Sequence, residues 1–287
     1  MKKQLLKEER KRSRKTSNKF RFWVISGILL IPLVFGLYIH HVRQAETHQK
    51  LFRRAEKLID KGSYRRAVSL LRSLHEHYPD TDDAPQALML AGEVLLLNLQ
   101  KDQEALLSFL LVDRDYPDTS WGQAARQRIA EIYKYRLQDY GRALVAYQKI
   151  LDSKSPDSER TQYEIADTYF RMNNFEQTRI EFESLLNDYP DTKLFAEALY
   201  RIGSVFFLEG NLSDAMHVLQ KLCRDYPENA FALEGSFVLA QIHEERGELS
   251  KALQVLKELE GRYAKESILE QRIAQIMQRI KKKNRAI

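Results

Sequence analysis

The sequence predicts an all-α chain in which six helix pairs and one final helix follow a single N-terminal membrane-spanning helix. Good helix formers such as Leu, Ala, Glu, Lys, Arg and Gln dominate, whereas the 287 residues include only 11 Gly and 7 Pro. Proline-bearing turns recur at a nearly constant interval along the chain. One uncharged apolar segment near the N-terminus is long enough to cross a bilayer.

The first element is a basic tail, residues 1–21. It holds ten Lys and Arg against two Glu, a balance of +8, and because the whole chain is at +6 the remainder is at −2. A slightly acidic body does not attract nucleic acid, so no nucleic-acid partner is expected. The tail either only sets the membrane topology or also binds anionic lipid or nucleic acid.

The second element is the predicted transmembrane helix, residues 22–42, which carries no formal charge. Its most apolar part, Phe22–Ile39, has 18 residues. They make ~27 Å of helix, against a hydrocarbon core of about 30 Å. Trp23 and Tyr38 lie near its ends, where aromatic rings favour the membrane interface.

Two alternatives to a permanent anchor remain open for this segment. One is a cleaved signal peptide, since Val34 and Gly36 are small enough for a cleavage site; the other is a buried helix of a soluble domain. The flanking charge favours one orientation, because ten Lys and Arg precede the segment and only five follow it within His40–Asp60. The tail is therefore predicted to be cytoplasmic and the rest of the chain to be exported.

The third element is a repeat, visible first in its turns. The letters YPDT occur at Tyr78–Thr81, Tyr116–Thr119 and Tyr189–Thr192, and YPEN occurs at Tyr226–Asn229. Together with Pro156, and with Ala264 in place of a sixth proline, these turns are spaced by 34 to 39 residues. The predicted role of each turn is mechanical: Tyr packs over the end of a helix, Pro ends it, and the polar residues cap the next helix.

The segment between two such turns reads as a helix pair. In Asp191–Pro227, apolar or small residues recur at helical spacing on two stripes: Leu199, Ile202, Gly203 and Phe206, then Ala215, Leu219 and Leu222. Gly203 and Ala215 are predicted to let the two helices approach closely. Gly210 is predicted to end the first helix in the left-handed conformation.

At this spacing the sequence resembles the tetratricopeptide repeat (TPR), a helix pair of 34 residues. The best-matching positions are Leu51, Ala55, Leu58, Ala67, Leu71, Leu74 and Pro79, then Ile165, Ala166, Tyr169, Phe182, Leu185 and Pro190, then Leu239, Ala240, Ala252, Leu256 and Leu259. The second and third pairs, around Gly92–Ala105 and Ala130–Ala143, carry one extra residue in the predicted inter-helix turn. The resemblance implies a right-handed TPR superhelix over residues 43–264. Residues 265–287 are predicted to form a C-terminal capping helix, whose apolar stripe is Leu269, Ile273, Ile276 and Ile280.

The YPDT boundaries resemble more narrowly a periplasmic branch of the family that includes the BamD and YbgF types. The BamD-like members are anchored by lipid on an N-terminal cysteine, whereas no cysteine precedes Cys223 here. The layout is instead similar to inner-membrane proteins of the YfgM kind, with a cytoplasmic tail, one span and exported repeats.

The sequence contains no recognisable catalytic motif, so we expect no enzymatic activity, cofactor, metal or small-molecule substrate. His75 and His77 stand two residues apart on a predicted helix, which points them to different faces and disfavours a metal site. Cys223 is interpreted as a small packing residue.

The resemblance implies a concave groove lined by positions 2, 5, 9, 12 and 13 of each first helix. The candidate partner-binding residues are Phe52, Tyr163, Phe170, Tyr200, Phe207 and Phe237. In the third pair, position 12 of the groove lining is Lys134. The alternative is that these aromatic residues serve packing between repeats. Position 9 is mostly acidic (Glu56, Glu93, Glu131, Asp167, Ser204 and Gln241), which disfavours a clamp for a C-terminal carboxylate and favours a partner with basic residues.

These expectations combine into a functional prediction. The sequence predicts a protein-binding TPR scaffold on the outer face of a bacterial inner membrane, in cell-envelope assembly. The alternative is a holdase-like accessory chaperone that binds many exported proteins.

Overall fold

A computed structural model describes residues 47–153 and 157–285. These two stretches contain thirteen helices and no strand, which confirms the predicted all-α class. Helix α1 covers 47–60, and the others are α2 Tyr64–His77, α3 Asp83–Glu93, α4 Asp102–Asp115, α5 Ser120–Glu131, α6 Tyr140–Asp152, α7 Ser158–Arg171, α8 Phe175–Asp188, α9 Phe195–Leu208, α10 Leu212–Asp225, α11 Ala230–Glu245, α12 Leu249–Glu258 and α13 Glu266–Arg285.

The helices belong to two compact units. Unit 1 lies within Met1–Pro117 and holds α1 to α4; unit 2 lies within Asp118–Ile287 and holds α5 to α13. Within unit 2 each helix packs against the next one along the chain, and α11 also packs against α9. The first helices α9 and α11 of two neighbouring pairs thus come into contact, as first helices do in stacked helix pairs.

The predicted basic tail, residues 1–21, and the predicted transmembrane helix, residues 22–42, lie outside the described residues. Within 47–153 and 157–285, every helix is too short or too polar to cross a membrane.

The predicted apolar stripes of the fifth pair form the core between α9 and α10. Leu199 and Leu219 are buried there, and a Cβ built on Gly203 would lie 2.6 Å from Cγ of Leu219. A side chain at position 203 would therefore force Leu219 or the helices to shift, which supports the predicted close approach of the two helices. Gly210 ends α9 with a positive φ of 77°, which confirms the predicted left-handed cap.

The YPDT and YPEN turns each end a helix, as the sequence predicts, but only two of the four cap the next helix with their last side chain. The backbone N–H of each Tyr donates to the carbonyl four residues earlier, in the pairs Tyr78–Leu74, Tyr116–Val112, Tyr189–Leu185 and Tyr226–Leu222. At two of the four turns the fourth residue supplies the N-cap: Thr119 accepts from the N–H of Gly122 at 3.1 Å, and Asn229 accepts from that of Phe231 at 2.9 Å. Helices α3 and α9 instead have Asp82 and Leu194 at the N-cap, with no hydrogen bond from the side chain. The period of the sequence is therefore a period of helix stops and starts.

The extra residue of the second and third pairs is not in the inter-helix turn, where the sequence placed it. It widens the last turn of the first helix into a π-turn, Val94–Asn98 after α3 and Ile132–Arg136 after α5. The N–H of Leu137 donates to the carbonyl of Ile132 at 2.9 Å, five residues back. Such one-residue insertions into α-helices are frequent at functional positions, and the second of them holds Lys134.

The final helix α13 closes the array on α12. Leu269, Ile273 and Ile276 are buried in one cluster with residues of α12, as the predicted stripe requires. Most of its other side chains are exposed, which suits a terminal helix with a polar outer face.

Candidate functional site

The structure places the six predicted groove residues at different depths. Phe52 in unit 1 and Tyr163 in unit 2 are buried. The remaining four are half-buried on successive first helices of unit 2: Phe170 on α7, Tyr200 and Phe207 on α9, and Phe237 on α11. These four side chains keep part of their surface open while the rest of each ring is packed.

Tyr163 is a link between α7 and α9. Its hydroxyl donates to Oε1 of Glu197 at 2.5 Å and accepts from Nη2 of Arg201 at 3.4 Å. Its ring meets the Phe182 ring edge-on at 5.5 Å, and the Arg160 guanidinium carbon lies 4.9 Å from its centroid. Burial and the hydrogen bond to Glu197 raise the pKa of Tyr163, so the hydroxyl stays a donor. Its polar end and its ring are thus both engaged within the protein.

The half-buried aromatic rings are supported by neighbouring side chains. The Phe237 ring stacks on Tyr263 with centroids 5.2 Å apart, and the Tyr200 ring lies 5.8 Å from that of Phe231. The Phe170 centroid is 5.8 Å from the guanidinium carbon of Arg201. These contacts belong to the packing between repeats, yet they also fix the exposed edges of the rings in place.

The burial of Lys134 is the main difference between the predicted groove and the structure. The sequence places it in the groove lining, but its side chain is fully buried. Nζ donates to Oε2 of Glu164 at 2.7 Å and to the backbone carbonyl of Glu164 at 3.0 Å. It also pairs with Oδ2 of Asp167 at 2.8 Å. A buried ammonium ion is thus matched by two buried carboxylates of α7.

An outer layer of side chains completes this arrangement. The hydroxyl of Tyr135 donates to Oε2 of Glu164 at 2.6 Å, and Nη2 of Arg160 lies 2.7 Å from Oε1 of Glu164. Nε of Arg171 donates to Oδ2 of Asp167 at 2.8 Å, and its guanidinium carbon lies 5.1 Å from the Tyr135 centroid. The charged cluster, as we name it, consists of Lys134, Tyr135, Arg160, Glu164, Asp167 and Arg171.

The cluster holds its carboxylates in the charged form. Burial opposes ionisation of Glu164, but hydrogen bonds from Lys134 and Tyr135 outweigh it and bring the pKa below its ordinary value. Burial likewise opposes ionisation of Asp167, and hydrogen bonds from Lys134 and Arg171 again lower the pKa. Burial and the bond to Glu164 raise the pKa of Tyr135. At neutral pH Glu164 and Asp167 are therefore carboxylates and the Tyr135 phenol is protonated.

The cluster predicts how the stability of unit 2 depends on pH. A carboxylate whose pKa is lower in the folded state stabilises that state above its unfolded pKa, and the stabilisation is lost as the pH falls through the folded value. The ordinary values for Glu164 and Asp167 are 4.5 and 3.8. Below pH 4.5 we expect the free energy of unfolding to decrease with falling pH, and to decrease more steeply in the wild type than in the triple variant K134M/E164Q/D167N. Denaturant midpoints across a pH series measure this, and equal slopes would contradict it.

The side chains considered for chemistry are engaged in packing or local bonds. His75 contacts Asp115, with Nε2 and Oδ2 3.1 Å apart, whereas Nδ1 of His77 contacts the carbonyl oxygen of Ser73 at 2.8 Å, so the two rings point apart as predicted. Cys223 lies half-buried with Sγ 3.2 Å from Oγ of Ser236. In the stretches 47–153 and 157–285, no group of three or more His, Cys, Asp or Glu could hold a metal ion.

Comparison with known proteins identifies the repeat. The tetratricopeptide repeat family matches residues 160–192 and 197–229, which contain most of α7 with all of α8, and most of α9 with all of α10. Two tetratricopeptide repeats are thus recognised in this chain, in residues 160–192 and 197–229. The TPR residues matched include the half-buried rings of α7 and α9 and the α7 side of the charged cluster.

Several solved structures are similar to this chain at low sequence identity, and the first of them, with a TM-score above 0.5, shares its fold. A tetratricopeptide repeat protein from Parabacteroides merdae ATCC 43184 is 17% identical, with 81% of this chain and 87% of that chain covered and a TM-score of 0.55. PilW, described as a type IV pilus biogenesis factor, is 15% identical over 74% of this chain and 92% of its own, with a TM-score of 0.48. PilF of Pseudomonas aeruginosa is 15% identical over 80% and 99%, with a TM-score of 0.46. A comparison with curated proteins gives no match.

Proposed function

We propose that this TPR protein is a membrane-anchored scaffold that binds a protein partner through the groove face of unit 2. The groove face is defined as repeat positions 2, 5, 9, 12 and 13 of the first helices α5, α7, α9 and α11. Position 9 is Glu131, Asp167, Ser204 and Gln241 in these four helices. The observation that carries the proposal is the row of half-buried aromatic side chains on that face, Phe170, Tyr200, Phe207 and Phe237.

Rings held in this way suit protein recognition. Aromatic residues dominate the energetics of protein interfaces because they bury a large area with few rotatable bonds. Here the rings of Phe170, Tyr200 and Phe237 are already positioned by neighbouring side chains. A partner therefore does not have to supply the free energy that orders them.

Exposed apolar side chains extend the face at the ends of the first helices. Tyr135, Met172 and Leu208 are all exposed, and they follow or end α5, α7 and α9. Neighbouring exposed apolar groups beside polar ones are typical of interaction surfaces. A partner segment that crosses successive first helices would cover them.

The compartment is part of the same proposal and rests on the sequence. The basic residues 1–21 and the apolar residues 22–42 support a cytoplasmic tail, one inner-membrane span and exported repeats. An anchor of this kind raises the local concentration of the scaffold near membrane-bound partners, which suits a role in bacterial envelope assembly of the BamD-like type. A reporter fused after Ile287 tests the orientation: activity that requires export supports it, and activity that requires the cytoplasm refutes it.

Alanine substitution tests the binding face directly. In the quadruple variant F170A/Y200A/F207A/F237A, co-purification of the partner with the full-length chain from mild-detergent extracts is expected to fall at least about tenfold. The matched control V145A/I180A removes exposed side chains from the second helices α6 and α8 and should leave co-purification unchanged.

Three outcomes separate the alternatives. One stoichiometric protein lost from the quadruple variant supports the scaffold. A diffuse set of clients lost in the same way supports the holdase alternative. If the quadruple variant keeps the circular dichroism of the wild type and still co-purifies the same amount of partner protein, the groove proposal is wrong.

A further inference from the structure

We infer that the segment recognised by the groove face of unit 2 is acidic and amphipathic, with carboxylate and apolar side chains together. This inference rests on the proposed function and names the chemistry of the partner. It reverses the expectation from the sequence, in which the acidic residues at position 9 favoured a basic partner.

The charged cluster is layered, with carboxylates inside and cations outside. The Glu164 side chain is 6% exposed, and the Arg160 side chain that pairs with it is 58% exposed. The Asp167 side chain is 10% exposed, against 41% for its partner Arg171. A molecule that approaches this face therefore meets the guanidinium groups first.

The same layering recurs at the last pair. Glu244 on α11 is buried, and Nε of Arg272 and Nη1 of Arg279 approach its two oxygens at 2.7 Å and 2.6 Å. Both arginines come from α13 and are more exposed than the carboxylate. At two separate sites in unit 2, buried carboxylates thus lie beneath more exposed arginines: Glu164 and Asp167 at one site, and Glu244 at the other.

The charge of these sites is positive. In the charged cluster the ammonium of Lys134 and the guanidinium groups of Arg160 and Arg171 exceed the two carboxylates by one charge. The two arginines on Glu244 exceed it by one in the same way. Because the arginines at both sites are more exposed than the carboxylates beneath them, the surface there attracts carboxylates and repels ammonium groups.

The acids at position 9 do not offset this effect. Asp167 is already bonded to Lys134 and Arg171. Glu131 accepts from Nη1 of Arg128 and from Nε2 of Gln127, both at 3.0 Å. A basic partner would have to displace these bonds, whereas an acidic partner adds a second carboxylate to arginines with open donors.

The neighbouring apolar surface points to a peptide. Exposed Tyr135, Met172 and Leu208 lie at the ends of the first helices, and Arg171 stacks on the Tyr135 ring. An amphipathic segment matches apolar side chains to these groups while its carboxylates reach the arginines. The phosphates of a polynucleotide could pair with the arginines, but its backbone has no apolar side chains to cover Met172 and Leu208.

Defined peptides test the inference on the full-length chain in detergent micelles. The probes are a labelled amphipathic peptide built from Leu and Glu, the same peptide with every Glu changed to Lys, and a single-stranded oligonucleotide. Fluorescence anisotropy is expected to show the Leu–Glu peptide binding about tenfold or more tighter than the Leu–Lys peptide, with an affinity that falls as salt rises.

Variants locate the binding. R160Q/R171Q removes two exposed cations of the charged cluster and is expected to weaken the Leu–Glu peptide about tenfold. R224Q removes an exposed arginine from the second helix α10 and is expected to have no effect. Unchanged circular dichroism and unfolding midpoints in R160Q/R171Q confirm that the loss is one of binding.

The contrary outcomes are distinct. Equal or tighter binding of the Leu–Lys peptide, lost in the quadruple alanine variant, overturns this inference and leaves the groove proposal standing. Tighter binding of the oligonucleotide, or Leu–Glu binding that R160Q/R171Q leaves intact, also overturns it. Failure of both peptides to bind overturns the inference. The groove proposal falls with it only if photo-cross-linking from position 208 also gives no adduct.

Discussion

Replacing Lys134 with Met is expected to lower the free energy of unfolding of unit 2 by about 3–5 kcal/mol. The substitution keeps the length and apolar stem of the side chain but removes the ammonium group. Glu164 and Asp167, both almost fully buried, then lose the cation that bonds to both of them. The magnitude is that of a buried ion pair broken from one side, because the two buried carboxylates keep only the more exposed Arg160 and Arg171 as cationic partners.

Denaturant unfolding of the full-length chain, followed by circular dichroism, measures this loss. Lys221→Met is the matched control: it makes the same change at an exposed position of α10 and should alter stability little. Hydrogen exchange in peptides from α7 provides a local readout, since exchange there should accelerate in K134M and not in K221M.

A compensated variant distinguishes charge from packing. In K134M/E164Q/D167N the buried charges are removed together, and we expect stability to return to within about 2 kcal/mol of the wild type. If K134M alone matches K221M, the ion pairs contribute little and the account of the charged cluster is wrong. If the triple variant is as unstable as K134M, the loss comes from packing of the lysine stem instead.

Replacing Gly203 with Ala is expected to cost about 1–3 kcal/mol, although Ala is the better helix former. The new Cβ would lie 2.6 Å from both Cγ and Cδ2 of Leu219, which is fully buried. Either α9 and α10 move apart or Leu219 leaves its preferred rotamer. Denaturant unfolding measures the cost, and an increase in stability would contradict the close-approach interpretation.

A double-mutant cycle tests the same contact. Leu219→Ala alone should destabilise unit 2 by about 2–5 kcal/mol because it leaves a cavity. In G203A/L219A the added methyl partly fills that cavity, so the double variant should be less destabilised than the two single changes combined. Additive losses would show that Gly203 and Leu219 do not constrain one another.

The fold follows from the sequence because its signals are local and repeated. Turns that contain Tyr78, Tyr116, Tyr189 and Tyr226 each end one helix and lead into the next, so each reports the same event. Gly210 requires a left-handed φ, and Gly203 requires a close neighbour; both needs are visible in a single pair of helices. The extra residue in two pairs was visible too, but pattern alone does not say whether a loop or a π-turn absorbs it.

The candidate site was less predictable because it depends on contacts across repeats. Lys134 pairs with residues thirty and more positions away, and no helical periodicity reports such a contact. A signal did exist: Glu164 and Asp167 stand three residues apart on one face of α7, among residues whose spacing indicates burial. Two acids on a buried face require a cation, and Lys134 in the preceding first helix was the available one.

Site-specific photo-cross-linking most directly tests the central claim, that the groove face of unit 2 holds a protein partner. A photoreactive phenylalanine analogue replaces exposed Leu208 at groove position 13 of α9, or exposed Val145 on the second helix α6, in the full-length chain in its native membrane. Irradiation is expected to give a discrete cross-linked species from position 208 and none from position 145. No adduct at position 208, or equal adducts at both, would contradict the account.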